Sequence, residues 1–225
     1  MIPYYYKTNF DFSDKAKNWI LDRYALRFDS YFYHDLDITQ IDKAAQIEWK
    51  NSPVGSELLA FLANYDCDTS YYGINVFISN TTKSSKITSK PGITIGNPHV
   101  DSKFSDSGQS KIKSRFNIMI LGNMSDPMFW WGNVCWGDSR LVEHQFTSLS
   151  GQQYTSLAVP GDNPDERWQW LGPPNEMSTD MLTPSAFVRT DCVHAVCYSS
   201  EPRLIVTVAI DKTIEEILQH PNNLT

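Results

Sequence analysis

The sequence predicts a mainly β fold with helices: a jelly roll of short strands in two sheets, with helices packed on one outer face. Three observations predict it. Apolar residues recur at helical spacing in the first third. From about Tyr71 the pattern turns to short alternating runs. Gly, Pro and Asn fall between those runs, as in double-sheet β architectures. A length of 225 residues fits one domain, 1–225, with a helical part over about 1–68 and a β core over about 71–211.

The helices are expected in order. Ser13 can cap a helix whose apolar stripe is Ala16, Trp19, Ile20 and Tyr24. A second runs through Ile41, Ala44, Ala45 and Trp49. The third has Ser52 as cap, Pro53 in the first turn, then Leu58, Leu59, Phe61 and Leu62. Strands are expected at 74–78, 93–95, 115–120, 129–134, 140–146, 153–159, 167–171, 186–189 and 204–210. A short helix over 213–219 closes the pattern. Two polar loops, 80–91 and 102–114, flank the most interesting motif and are candidates for lids.

Composition excludes several classes. At 41% hydrophobic with seven Trp, the chain can bury a core without a disulfide framework; at 20% charged it is not a disordered composition. No apolar run is long enough to span a bilayer, so no membrane partner is expected. The start, Met1 to Lys7, lacks a basic n-region followed by an apolar h-region, so a cytoplasmic location is expected. The net charge of −7 is uneven. Lys83, Lys86, Lys90, Lys103, Lys111, Lys113 and Arg115 outnumber Asp101 and Asp106 in one segment. That segment could draw an anionic substrate, or it could be a solvated surface. The acidic remainder argues against general nucleic-acid binding.

Four cysteines do not make a small-protein disulfide framework. Cys67 and Cys135 read as lone core residues. Cys192 and Cys197 flank His194, but zinc sites usually need a second ligand pair, so buried small hydrophobes are expected instead.

The chemistry concentrates in His99-Val100-Asp101. Residues two apart in a strand share a face, so both ligand types can meet one metal while Val100 packs behind. A third ligand, His194, lies in the apolar run 192–196. Two imidazoles and a carboxylate can hold one face of an Fe(II) octahedron and leave other positions open. His34, His144 and His220 read as surface residues. Arg203 enters the otherwise apolar run 204–210, and a buried guanidinium needs an anionic partner; Thr207 shares its face. Asn75 and Asn117 alternate with apolar residues and are candidates to point inward. Of the adjacent Trp130 and Trp131, a regular strand sends one in and one out, with sheet packing as the expected role.

These pieces resemble the 2-oxoglutarate/Fe(II)-dependent dioxygenase superfamily. The resemblance rests on 91–101, ending Pro98-His99-Val100-Asp101, on Arg115-Phe116-Asn117-Ile118, on His194-Ala195-Val196, and on Arg203 nine residues after His194. It implies a double-stranded β-helix (a cupin-like jelly roll) with N-terminal support helices. It implies Fe(II) held by His99, Asp101 and His194, with 2-oxoglutarate as co-substrate and its distal carboxylate on Arg203. O2 would be consumed, 2-oxoglutarate would become succinate, and a small-molecule or peptidyl substrate would be oxidised. A carboxylate at Asp101 favours hydroxylation over halogenation. Ile205 stands where many members carry Ser or Thr, so Thr207 would have to supply that hydroxyl. Two alternatives stand beside it: a jelly-roll binding module without redox chemistry, and a cupin-like metalloenzyme that does not use 2-oxoglutarate.

Overall fold

The computed structural model describes residues 3–24, 32–35, 43–67, 74–79, 94–95, 98–101, 112–122, 127–147, 153–178, 184–198 and 203–221. The loop 80–91 and most of 102–114 lie outside them. So does the Pro91-Gly92 turn.

The fold is mainly β with a few helices. In chain order the strands are β1 (Tyr5–Thr8), β2 (Phe32–Asp35), β3 (Ile74–Ser79), β4 (Thr94–Ile95), β5 (Ser114–Leu121) and β6 (Met128–Cys135). They continue with β7 (Val142–Thr147), β8 (Gln153–Ala158), β9 (Glu176–Ser178), β10 (Ser185–Arg189), β11 (Cys192–Tyr198) and β12 (Arg203–Ile210). The helices are α1 (Asp14–Tyr24), α2 (Lys43–Asn51), α3 (Pro53–Ala63), α4 (Pro164–Leu171) and α5 (Ile214–Leu218). The larger sheet runs β1-β10-β5-β12-β3-β2 and the smaller β4-β11-β6-β9, while β7 and β8 form a hairpin.

Local chemistry explains the helix starts. Ser52 accepts from the Gly55 amide, with Pro53 in the first turn, where no amide partner is needed. Thr213 and Glu216 form a reciprocal capping box on α5. The run 167–171, expected as a strand, is instead the body of α4. Asn163 accepts from the Glu166 amide, Pro164 opens the helix, and Asp165 and Glu166 suit its positive end. Those start signals outweigh the aromatic residues that suggested a strand. The N-terminal part is not purely helical either: β1 and β2 are the two edges of the larger sheet. His34 therefore lies in a strand rather than a loop.

Alternation sorts the side chains into layers. Phe116, Ile118, Leu204, Val206, Val208 and Ile210 project from one face of the larger sheet. They pack against Ile20, Trp49, Leu58, Leu62, Ile214 and Ile217 from the helices. The opposite face meets the smaller sheet through Met119, Ala186, Val188 and Ile205 on one side and Met128, Trp130 and Val196 on the other. A third cluster covers the back of the smaller sheet, joining Trp131, Val193, Ala195 and Val100 to Trp168 and Leu171 of α4. Trp130 and Trp131 thus point to opposite faces, as their adjacency predicts, and both are fully buried. The Trp130 indole N–H donates to Arg189 O at 3.0 Å, and that of Trp131 to Gly172 O at 2.9 Å. Each polar handle therefore has an acceptor, and the indoles are structural. No helix among the described residues is long and apolar enough to cross a membrane.

Candidate metal centre

His99 continues the line of β4 and pairs with β11. Its amide donates to His194 O at 3.0 Å, and the His194 amide returns a bond to His99 O at 2.9 Å. His99 also bridges to Ala158 at the end of β8, so its backbone is held on both sides. Asp101 is anchored by its amide, which donates to Thr190 O at 3.2 Å. The alternation expected of His-x-Asp is observed: Val100 is buried among the residues behind the smaller sheet. His99 and Asp101 turn the other way.

His99, Asp101 and His194 are brought together. One ligand atom from each lies within 4.8 Å of the other two, close enough to hold a metal ion. The imidazole centroids are 4.5 Å apart, and His99 Nε2 lies 4.0 Å from Asp101 Oδ1. The site is graded in exposure, since the His99 side chain is 49% exposed and Asp101 only 8%. His194 is buried. The arrangement therefore has a closed wall and a side from which a ligand can enter. His194 Nδ1 lies 3.0 Å from Cys192 O. A carbonyl only accepts, so Nδ1 carries the proton and the Nε2 lone pair is left for a metal.

Electrostatics suits the same role. Burial lowers the His194 pKa, His99 lowers it further, and the attraction of Asp101 restores part, leaving it at about 4. The ring is thus neutral near pH 7, as a ligand must be. Burial pushes Asp101 up, but the charges of Arg115, His194 and His99 outweigh burial and bring it to about 2. The carboxylate is therefore ionised and ready to ligate. Arg115, which the sequence motifs give no role, touches the triad: its Nε donates to Asp101 Oδ2 at 2.6 Å. The signal was present, because Arg115 enters an alternating apolar strand as Arg203 does.

The remaining predicted residues lie on the larger sheet. Thr207 pairs in register with Asn117 of β5 on one side and with Asn75 of β3 on the other. The Thr207 hydroxyl donates to Asn117 Oδ1 at 2.5 Å. Only the backbone position of Asn75 is described. Arg203 is buried at the start of β12. Side-chain placement of His144 lies outside the described residues. His220 is tied at 2.9 Å to Asp66, away from the triad.

The cysteine expectation needs correction. Cys135 is not a lone core residue: it forms a disulfide with Cys192, linking β6 to β11. Cys192 is thereby removed as a thiolate ligand, so the Cys-x-His-x2-Cys zinc arrangement does not form. Spacing could not reveal this pair, because 57 residues separate its members. Cys67 is a free, partly buried thiol whose pKa burial pushes up to about 12, which makes it unreactive near neutral pH.

No protein-family model and no curated protein matches the chain.

Proposed function

We propose that the protein is a mononuclear non-haem Fe(II) oxygenase that uses O2 and 2-oxoglutarate to hydroxylate a substrate. The observation that carries this is the convergence of His99, Asp101 and His194 with one side open. Two imidazoles and one ionised carboxylate on one face, with a side left open, match the donor set of mononuclear Fe(II) oxygenase centres. The strand order supports the same reading. The sequence β3-β12-β5-β10 within the larger sheet faces β4-β11-β6-β9, the alternation expected of a double-stranded β-helix.

His99, Asp101 and His194 would hold the iron, which supplies oxygen activation when bound. The chain does the rest. Arg115 keeps Asp101 ionised and fixes one of its oxygens, which leaves Oδ1 for the metal. The Cys192 carbonyl holds the His194 ring in one tautomer. Arg203 would pair with the distal carboxylate of 2-oxoglutarate, since a buried guanidinium is best matched by a carboxylate fork. The Thr207–Asn117 pair adds polar groups on neighbouring strands. The apolar layer of Met119, Met128 and Ile205 keeps bulk water from the space between the sheets.

The test is anaerobic addition of Fe(II) and 2-oxoglutarate. A visible charge-transfer band, followed in air by slow succinate formation, is expected. Neither signal appearing would sink the oxygenase reading in favour of a binding module. A cupin-like enzyme that ignores 2-oxoglutarate would bind Fe(II) without the band, and Arg203→Ala would then leave its metal chemistry unchanged. A cytoplasmic setting would keep Cys135 and Cys192 reduced, so the thiol state of freshly isolated protein tests that location.

A further inference from the structure

The packing role of Trp130 leaves its redox chemistry unused. Trp130 pairs in register with His194, so the two side chains leave neighbouring strands on the same face. Trp131 faces the other way, into the layer behind the smaller sheet with Trp168. The Trp130 ring is fully buried and does not stand alone. It lies 5.9 Å from the Tyr5 ring at an interplanar angle of 17°, and 5.6 Å from the Tyr4 ring at 31°. Both tyrosines are only partly buried. Gly132 makes room for Tyr4, since a Cβ there would run into the Tyr4 phenol. The three rings therefore form a continuous path from the face that carries His194 to solvent beside β1. Indole and phenol are the most readily oxidised aromatic side chains. At neutral pH a tyrosine that can shed its proton to water is the lower resting place for an electron vacancy.

We propose that Trp130, Tyr5 and Tyr4 form a redox relay that drains oxidising equivalents from the metal centre when no substrate is there to consume them. The inference rests on the oxygenase reading above. A centre that has used 2-oxoglutarate and O2 without a substrate is left two electrons short of Fe(II), with one oxygen atom still to discharge. Trp130 supplies one electron while its indole N–H stays on Arg189 O. Tyr5 or Tyr4 then refills Trp130 and releases its phenolic proton to solvent. A soluble enediol reductant such as ascorbate returns a hydrogen atom to the phenoxyl. Two such passes deliver two electrons. The two protons shed by tyrosine balance the two taken up at the centre, where the oxygen atom leaves as water.

The first experiment needs no iron. The metal-free full chain carries a ruthenium(II) diimine photo-oxidant on His99, whose side chain is half exposed, and the singly labelled species is isolated. After a flash with an external quencher, transient absorption should show a tryptophanyl band decaying as a tyrosyl band grows. The Tyr4→Phe/Tyr5→Phe double variant should lower the tyrosyl yield at least fivefold and lengthen the tryptophanyl lifetime. Trp130→Phe should also remove the tyrosyl band; if it folds poorly, the tyrosine double variant carries the test. Trp168→Phe, behind the sheet, should change the yield by less than twofold. Tyrosyl yields that agree within twofold between wild type and the double variant would overturn the relay. A second experiment supplies Fe(II), 2-oxoglutarate and ascorbate in air without substrate, and follows oxygen added to the protein by mass spectrometry. The double variant should gain oxygen on residues 128–131 at least threefold faster than wild type. Equal rates would overturn the protective role. No succinate from either protein would overturn the oxygenase reading and the protective role with it, while the flash experiment still decides whether the three rings conduct.

Discussion

His99 and His194 exchange two backbone hydrogen bonds, at 3.0 and 2.9 Å, so their imidazoles hang from directly paired positions of neighbouring strands. The placement of the two rings is thus written into strand register rather than into flexible loops. A slip of one residue would send either ring to the opposite face.

Metal binding should separate from stability within the triad. A divalent ion at about 100 times its Kd stabilises the folded state by ~2.7 kcal/mol. His99→Ala is expected to abolish that gain while leaving the metal-free protein near wild type, because the ring is half exposed. Asp101→Asn should abolish the gain and also cost about 3 kcal/mol without metal, since it leaves the Arg115 cation beside a neutral amide. Thermal melts with and without Co(II) check both. Equal metal-free stability of the two variants would contradict the assigned role of Arg115.

Acid should destabilise the metal-free protein in two steps. Folded His194 titrates at about 4 against an ordinary 6.5, so the unfolded chain takes up the proton first. Stability is complete above pH 6.5 and falls as pH drops toward 4, by about 3 kcal/mol from this residue. Asp101 acts lower down. Its folded pKa of about 2 lies below the ordinary 3.8, so its contribution is present above 3.8 and is lost as pH falls toward 2. Urea melts from pH 8 to 3 should show both limbs, and His194→Asn should lack the first. A wild-type profile flat from pH 7 to 4 would contradict the buried neutral histidine.

The Cys135–Cys192 disulfide should couple redox state to the metal centre. Closing a loop across 57 residues typically contributes about 2–4 kcal/mol, and Cys192 O is the acceptor that orients His194. The Cys135→Ser/Cys192→Ser double variant is expected to melt lower and to bind Co(II) several-fold more weakly. The thiol count of denatured wild type should rise by two on reduction. Unchanged Co(II) affinity in the double variant would show that the disulfide supports only the fold.

Gly55 should tolerate no side chain. A Cβ there would stand 2.0 Å from the backbone oxygen of Trp49, where α2 gives way to α3. A backbone atom cannot rotate away, so Gly55→Ala should cost about 1–3 kcal/mol by overpacking despite the better helix propensity of Ala. Denaturant midpoints decide this, and a stabilised variant would mean that the junction of the two helices can shift.

Much of the site was legible because its signals are local. Alternation in His99-Val100-Asp101 assigned the faces, and the buried Val100 matches that assignment. The Ser52-Pro53 and Thr213 starts of α3 and α5 were readable for the same reason, since a cap acts within four residues. The helix α4 was misread although Asn163-Pro164 announced it, because aromatic residues at 168 and 170 also suit a strand.

By itself the sequence determined which residues can ligate, which faces they share within a strand, and where the helices of the first third begin. Only the tertiary structure decided what those residues meet. It paired His99 with His194 across 95 positions of chain, set the Arg115 fork on Asp101 and joined Cys135 to Cys192. The physical reason is range. Propensity, capping and alternation act between neighbours along the chain, whereas pairing of distant strands depends on how whole sheets bury their apolar faces against each other.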